Sequence, residues 1–203
     1  MFALVLRDNL ARRILMPRDR TGIKPLYYAA LPDRLVFGSE LKAILADGLT
    51  PTVDLEALSL YLSLLYIPAP HSIYREIRKL EPGHTLTWQA GRLEVKAYWD
   101  LASVKPLSPP HDAGMLQAEL RVRLAAAVQQ QLVADVPLGI FLSGGLDSST
   151  IVAFARQSHT GPLKTFSIGF DDPSYDETHL ARIVAQRFET EHTELTVRPD
   201  ATE

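Results

Sequence analysis

Seven consecutive residues, Ser143-Gly144-Gly145-Leu146-Asp147-Ser148-Ser149, have the types and spacing that bind an anion. Two glycines let the backbone turn sharply and come close to a ligand, and two serines follow where a helix would be capped. Successive N–H groups at such a turn, with a helix N-terminus behind them, form a concavity suited to phosphate. The Walker loop is excluded, because GxxxxGK followed by Ser or Thr requires a lysine and this loop has none. Asp147 is an acid inside an anion site. That makes chemical sense if it holds Mg²⁺ against the phosphates, which it would otherwise repel. An ordinary glycine turn ahead of a core helix is the alternative reading of the same residues.

The flanking runs determine how the loop is held. Val136 to Leu142 is rich in β-branched and aromatic residues and nearly free of polar positions, as a strand buried on both faces of a parallel sheet would be. Thr150 to Arg156 reads as helix. Leu163 to Phe170 predicts a second strand, Glu177 to Phe188 a helix and His192 to Val197 a third strand, hence a parallel α/β sheet with ligands at the carboxyl ends of its strands. Gly169 and Asp171 fall at such an end, and an adenine would fit between Phe141 and Ile168. Upstream, Leu116, Leu120, Leu124, Ala127, Val128 and Leu132 mark one apolar stripe of a helix that delivers the chain to the loop strand.

The first hundred residues read differently. Met1 to Leu6 predicts a buried strand and Arg7 to Asn9 a turn, with Arg13 to Met16, Leu26 to Ala30 and Leu35 to Gly38 as further strands of an antiparallel meander. Ser39 is the expected cap of a short helix through Ala46. Asp54 caps another, whose Leu55, Leu58, Tyr61, Leu62 and Leu65 share a face expected to be core, with Pro68 and Pro70 ending it. Short strands follow at Ile77 to Leu80, Thr85 to Trp88 and Leu93 to Trp99. Arg20 and Lys24 are expected to make structural ion pairs. Prolines concentrate at Lys105 to Pro110, which with His111 to Gly114 predicts a linker, 105–114, between units 1–104 and 115–203.

Composition narrows the chemistry. The 203 residues are 46% hydrophobic, enough for a real core, and contain no cysteine, which excludes disulfides, thiolate metal sites and a thiol nucleophile. The six histidines, at 71, 84, 111, 159, 179 and 192, have no metal-ligand spacing, so no zinc is expected. Asp171-Asp172 and Asp176-Glu177 are acids of the kind that contact a second Mg²⁺ or the nucleotide, although acids are common in loops and at helix starts. Residues 1–110 carry 14 basic and 11 acidic side chains and residues 111–203 carry 7 and 13, a net of −6 on the loop-bearing half. A nucleic-acid partner, which needs a basic face, is not expected. No apolar stretch reaches the ~20 residues of a membrane span, and no basic segment leads into a secretory apolar run. No membrane partner is expected, and cytoplasm is the default location.

Ser143 to Ser149 resembles the pyrophosphate loop of ATP pyrophosphatases, which split ATP between its α- and β-phosphates. In order along the chain, RDRTGIKPLYY from Arg18, LVFGSELKAIL from Leu35, KLEPGHTL from Lys79, YWD from Tyr98, DVPLGIFLSGGLDSS from Asp135, TFSIGF from Thr165 and the pair Asp176-Glu177 resemble glutamine-hydrolysing asparagine synthetase. The resemblance implies an α+β fold, a partial Ntn-hydrolase-like antiparallel glutaminase domain, followed by α/β, the start of a parallel-sheet ATP pyrophosphatase domain. In that family the first domain releases ammonia from glutamine. The second uses ATP and Mg²⁺ to adenylate aspartate, and ammonia then displaces AMP.

Carried over residue by residue, Phe141, Ser143, Gly144, Gly145, Leu146, Asp147, Ser148, Ser149 and Ile168 would bind ATP. Phe141 and Ile168 would border adenine largely through backbone groups, and Asp147 would hold Mg²⁺. Arg18 to Lys24 would be structural. No catalytic residue carries over, because the family's glutaminase uses the thiol and amine of an N-terminal cysteine and its second glycine-and-acid loop has no counterpart before Glu203. The expectation is a fragment truncated at both ends and inactive alone. The implied partners are ATP, aspartate and glutamine-derived ammonia, with a homodimer open to the full-length family. Two other readings stay open: a related amide-forming enzyme of the β-lactam synthetase or secondary-metabolite type, and a non-catalytic nucleotide-binding module.

Overall fold

Period-two alternation organises the first of the two units into which the chain divides, Met1–Leu107 and Ser108–Glu203. The computed structural model describes residues 1–106, 112–172, 174 and 176–197, so the middle of the predicted linker, 107–111, lies outside the described residues. In the first unit β1 (Leu6–Asp8), β2 (Arg13–Pro17), β6 (His84–Gln89) and β7 (Arg92–Ala97) form an antiparallel sheet in the order β1-β2-β6-β7. A second antiparallel sheet joins β3 (Tyr27–Ala30), β4 (Leu35–Gly38) and β5 (Arg78–Lys79) in the order β4-β3-β5. Met16 and Leu86 from the first sheet meet Leu26, Tyr28 and Leu80. Ala29, one residue past Tyr28, points the other way onto Ile77 and onto Ile44 of α1 (Leu41–Leu45).

The expected single meander is therefore two sheets, and a buried polar knot turns the chain from one to the other. The Arg18 guanidinium donates to the carbonyls of Lys24 at 2.8 Å, Leu80 at 2.5 Å and Gly22 at 2.6 Å. The Asp19 carboxylate accepts from the N–H groups of Phe2, Thr21, Ile23 and Lys24 and from the Thr21 hydroxyl, at 3.0 to 3.2 Å. Burial pushes the Asp19 carboxyl up, but these donors outweigh it and hold it well below the usual carboxylate range. Arg20 lies over the Trp99 ring, 6.0 Å from its centroid, and Lys24 serves through its backbone, so stacking and main-chain hydrogen bonds replace the expected ion pairs.

Several expected features of this unit differ. Met1 to Leu6 is not a buried strand; β1 begins at Leu6 on a sheet edge, and Met1, Leu4 and Leu6 are exposed. Glu40 rather than Ser39 precedes α1, without a side-chain cap. Asp54 does cap α2 (Leu55–Leu64), accepting from the N–H groups of Glu56 and Ala57. The α2 stripe is not core, however: Leu62 and Leu65 are 71% and 82% exposed and only Ala57 is buried, because no other described element covers that face. The helix ends at Leu65, which adopts a left-handed conformation, before either proline is reached.

In the second unit Asp112 caps α3 (Ala113–Gln131) by accepting from the Met115 N–H, so Ala113 and Gly114 belong to the helix. There follow β8 (Gly139–Phe141), α4 (Leu146–Ser158), β9 (Lys164–Phe170), α5 (Thr178–Arg187) and β10 (Glu191–Val197). The three strands are parallel in the order β10-β9-β8, and Leu142, Val152, Ala155, Leu163, Ala181 and Ala185 form the core with α4 and α5. β8 is an edge strand and not buried on both faces; Phe141 is 79% exposed while Leu142 is buried. On α3 only the end of the expected stripe is engaged, Val128 and Leu132 packing on the core while Leu116, Leu120 and Leu124 stay exposed. Gly145 is the N-cap of α4, so Ser148 and Ser149 lie inside its first turn rather than capping it. No helix among the described residues is long and apolar enough to cross a membrane.

Two variants test this account. Asp19→Asn should cost about 2 kcal/mol at pH 7 by removing charge-assisted acceptors. Because the folded carboxyl sits below its unfolded value of about 4, its contribution is full above that pH and declines below it, so in urea titrations the deficit should shrink toward pH 3. Gly144 has φ +81°, and a Cβ there would stand 2.5 Å from Leu180 Cβ and 2.6 Å from the Ala181 nitrogen. Gly144→Ala should therefore destabilise the second unit by about 3 kcal/mol in the same titration.

Candidate functional site

The chain leaves β8 through Leu142, whose N–H still donates to the Phe166 carbonyl at 2.8 Å, and enters the loop at Ser143. The turn is held by its own hydroxyls. The Ser148 hydroxyl donates to the Gly145 carbonyl at 3.2 Å, accepts from the Ser143 N–H at 3.3 Å and lies 3.1 Å from the Ser143 hydroxyl. Gly144 then seats the loop directly on the start of α5, with no room for a side chain between them. A helix with its first turn open to the loop and a second helix start alongside place positive dipole ends at the strands' carboxyl edge.

A cavity of about 280 Å³ opens at that edge. It brings together three of the predicted residues, Phe141, Ser143 and Ile168, and adds Phe166, Phe170 and Thr178. Phe141 and Ile168 lie on the same sheet face, since β8 and β9 pair with Phe141 opposite Phe166. Gly144, Gly145, Leu146, Asp147, Ser148 and Ser149 stand beside the cavity on the loop and the first turn of α4 rather than in its wall. Leu146 points to solvent. The Ser149 hydroxyl oxygen is buried without a hydrogen-bond partner, a polar atom left unsatisfied next to the loop.

The acids divide by what they already bind. Asp147 is exposed in the first turn of α4, where a helix N-terminus favours a carboxylate. Among the described residues no group of three His, Cys, Asp or Glu side chains could hold a metal ion, so a cation at Asp147 would draw its remaining ligands from a bound phosphate or water. Asp172 accepts from the Ser174 hydroxyl at 2.7 Å and N–H at 2.9 Å, and these bonds hold its carboxyl below the usual range. Asp176 is spent on Thr178, accepting its N–H at 3.3 Å and its hydroxyl at 3.0 Å. Glu177 reaches the cavity wall. Phe166 and Phe170 were legible in principle: Phe166, Ile168 and Phe170 alternate with Thr165, Ser167 and Gly169, the period of a two-faced strand.

Residues 1–99 match the family described as a glutamine amidotransferase domain, and residues 119–203 match the family described as asparagine synthase. A Methanocaldococcus jannaschii protein named for glutamine-hydrolysing asparagine synthetase is 39% identical over 198 residues, 95% of this chain and 38% of its own length. Asparagine synthetase (glutamine-hydrolyzing) 1 of Bacillus subtilis is 34% identical over 201 residues, 98% of this chain and 31% of its own. Amidase chyE of Penicillium rubens is 34% identical over 202 residues, 91% of this chain and 29% of its own. The chain thus spans about a third of the length of the curated relatives it matches. With an amidotransferase match over its antiparallel unit and a synthase match over its parallel one, the chain belongs to the glutamine-hydrolysing asparagine synthetase family.

Proposed function

We propose that residues 115–203 form the ATP-binding start of an asparagine synthetase-type ligase, that residues 1–104 belong to its glutaminase-like part, and that 105–114 join them. The supporting observation is the convergence of the loop Ser143–Ser149, the start of α5 and the cavity bordered by Phe141 and Ile168 at one sheet edge. The loop's N–H groups would take the pyrophosphate and the apolar cavity wall the adenine. Asp147 would hold Mg²⁺, which supplies charge neutralisation across the phosphates. In the whole protein the aspartate carboxylate would attack the α-phosphorus with loss of pyrophosphate, and ammonia from glutamine would then displace AMP. The chain has no thiol to release that ammonia itself.

Relatives that carry a different name, amidases in Penicillium rubens and Gibberella zeae at 34% and 32% identity, favour a second reading in which the same ATP loop serves another reaction of an amide bond. A non-catalytic nucleotide-binding module would bind ATP equally well and turn nothing over.

Calorimetric titration of the purified chain with ATP should give Mg²⁺-dependent binding. Asp147→Ala should weaken it at least about tenfold, with ATP binding in EDTA unchanged. A folded chain that binds no ATP overturns the reading. Incubated with glutamine, the same preparation should release no ammonia above the blank, and measurable release would show a nucleophile other than a thiol.

A further inference from the structure

The buried face of β9 carries hydroxyls where a parallel strand beneath helices ordinarily carries hydrocarbon. Thr165 is 0% exposed and Ser167 6%. Such groups are costly away from water unless every one is bonded, and here they are bonded in series. The Thr165 hydroxyl lies 2.7 Å from that of Thr190 and 2.8 Å from His192 Nδ1. His192, directly opposite Thr165 in the β9–β10 register, has its Nε2 3.3 Å from the Ser167 hydroxyl and 3.4 Å from a Glu194 carboxylate oxygen. The Ser167 hydroxyl donates to the Leu142 carbonyl.

Donor counting sets the direction of this series. A carbonyl only accepts, so the single Ser167 proton is committed to Leu142 and the Ser167 oxygen must accept from His192. The other group facing Nε2 is a carboxylate, held ionised by Arg182, which donates to both its oxygens at 2.7 Å. Nε2 therefore carries the hydrogen, and in the neutral ring Nδ1 accepts from Thr165, which accepts from Thr190. The order runs Thr190, Thr165, His192, Ser167, Leu142. Its last member shares a peptide unit with the Ser143 N–H, the first amide of the anion loop. A carbonyl that accepts a hydrogen bond polarises its peptide and strengthens the N–H across it, and bonds in a chain reinforce one another.

We propose that His192, acting through Ser167, is a positioning residue for the loop: as the Nε2–H tautomer it orients and polarises the Leu142–Ser143 peptide so that the Ser143 N–H holds the Ser148 hydroxyl, 3.3 Å away, and with it the turn that faces a bound phosphate. The inference rests on the ATP-loop reading for its ligand, but not for the peptide geometry. Two replacements separate it from a general packing role. Glutamine carries an N–H to the Nε2 position, whereas asparagine reaches only the Nδ1 position.

The test uses the full 203-residue chain, reading the Ser143 amide shift by ¹H–¹⁵N NMR and Mg–ATP affinity by calorimetry. Ser167→Ala and His192→Asn should both move the Ser143 amide upfield and weaken Mg–ATP binding about fivefold, while His192→Gln leaves both near wild type. An unmoved Ser143 amide in Ser167→Ala, or equal effects of glutamine and asparagine at 192, overturns the proposal. Should His192→Asn fail to fold, Ser167→Ala, which removes one oxygen only, decides it. If the wild-type chain binds no Mg–ATP, the ATP reading falls and the Ser143 shift alone still judges the positioning.

Discussion

A polar group that leaves water must find its partners inside the protein, and both units are arranged around that requirement. In the first unit Arg18 and Asp19 are buried side by side, yet they bond to main-chain groups, of their own turn 18–24 and of Phe2 and Leu80 from elsewhere, rather than to each other. Three carbonyls around the guanidinium and four N–H groups around the carboxylate fix where the segment 18–24, the chain start at Phe2 and Leu80 just past the end of β5 lie. The two sheets can then close on Met16, Tyr28 and Leu86.

The second unit meets the same requirement with hydroxyls. β9 turns Thr165, Ser167 and Gly169 toward α5 and leaves Phe166, Ile168 and Phe170 on the open face, the reverse of a half-buried strand's usual sidedness. The polar side binds strand to strand through His192 and binds β10 to α5 through Glu194 and Arg182. The apolar side, with Phe141, borders the cavity. A single strand thus supplies both the bonds that hold the loop and much of the cavity wall, which Ser167 also reaches.

Seating the loop on α5 links local geometry to that layout. The left-handed turn at Gly144 allows the backbone to rest against Leu180 and Ala181, and the bare carbon of Gly169 lets Thr178 and Asp176 come close to β9. The two helix starts therefore meet at the carboxyl edge of the sheet, where ligands of parallel sheets bind.

What the amino-acid order determined by itself was local. The strand–loop–helix unit around Ser143, the parallel run β8, β9, β10, the short strands β6 and β7 and the Asp54 cap follow from turn chemistry and periodicity within a few residues. Tertiary structure decided which face of each element is covered. Leu55, Leu62 and Leu65 fall on one stripe of α2 and Leu116, Leu120 and Leu124 on one stripe of α3, yet both stay exposed. Val136 to Leu142 reads as a central strand and lies on an edge. His192 reads as an ordinary histidine and stands between two hydroxyls from a strand more than twenty residues away. A periodic pattern states that two faces differ; it does not name the partner, and burial depends on contacts between residues far apart in sequence.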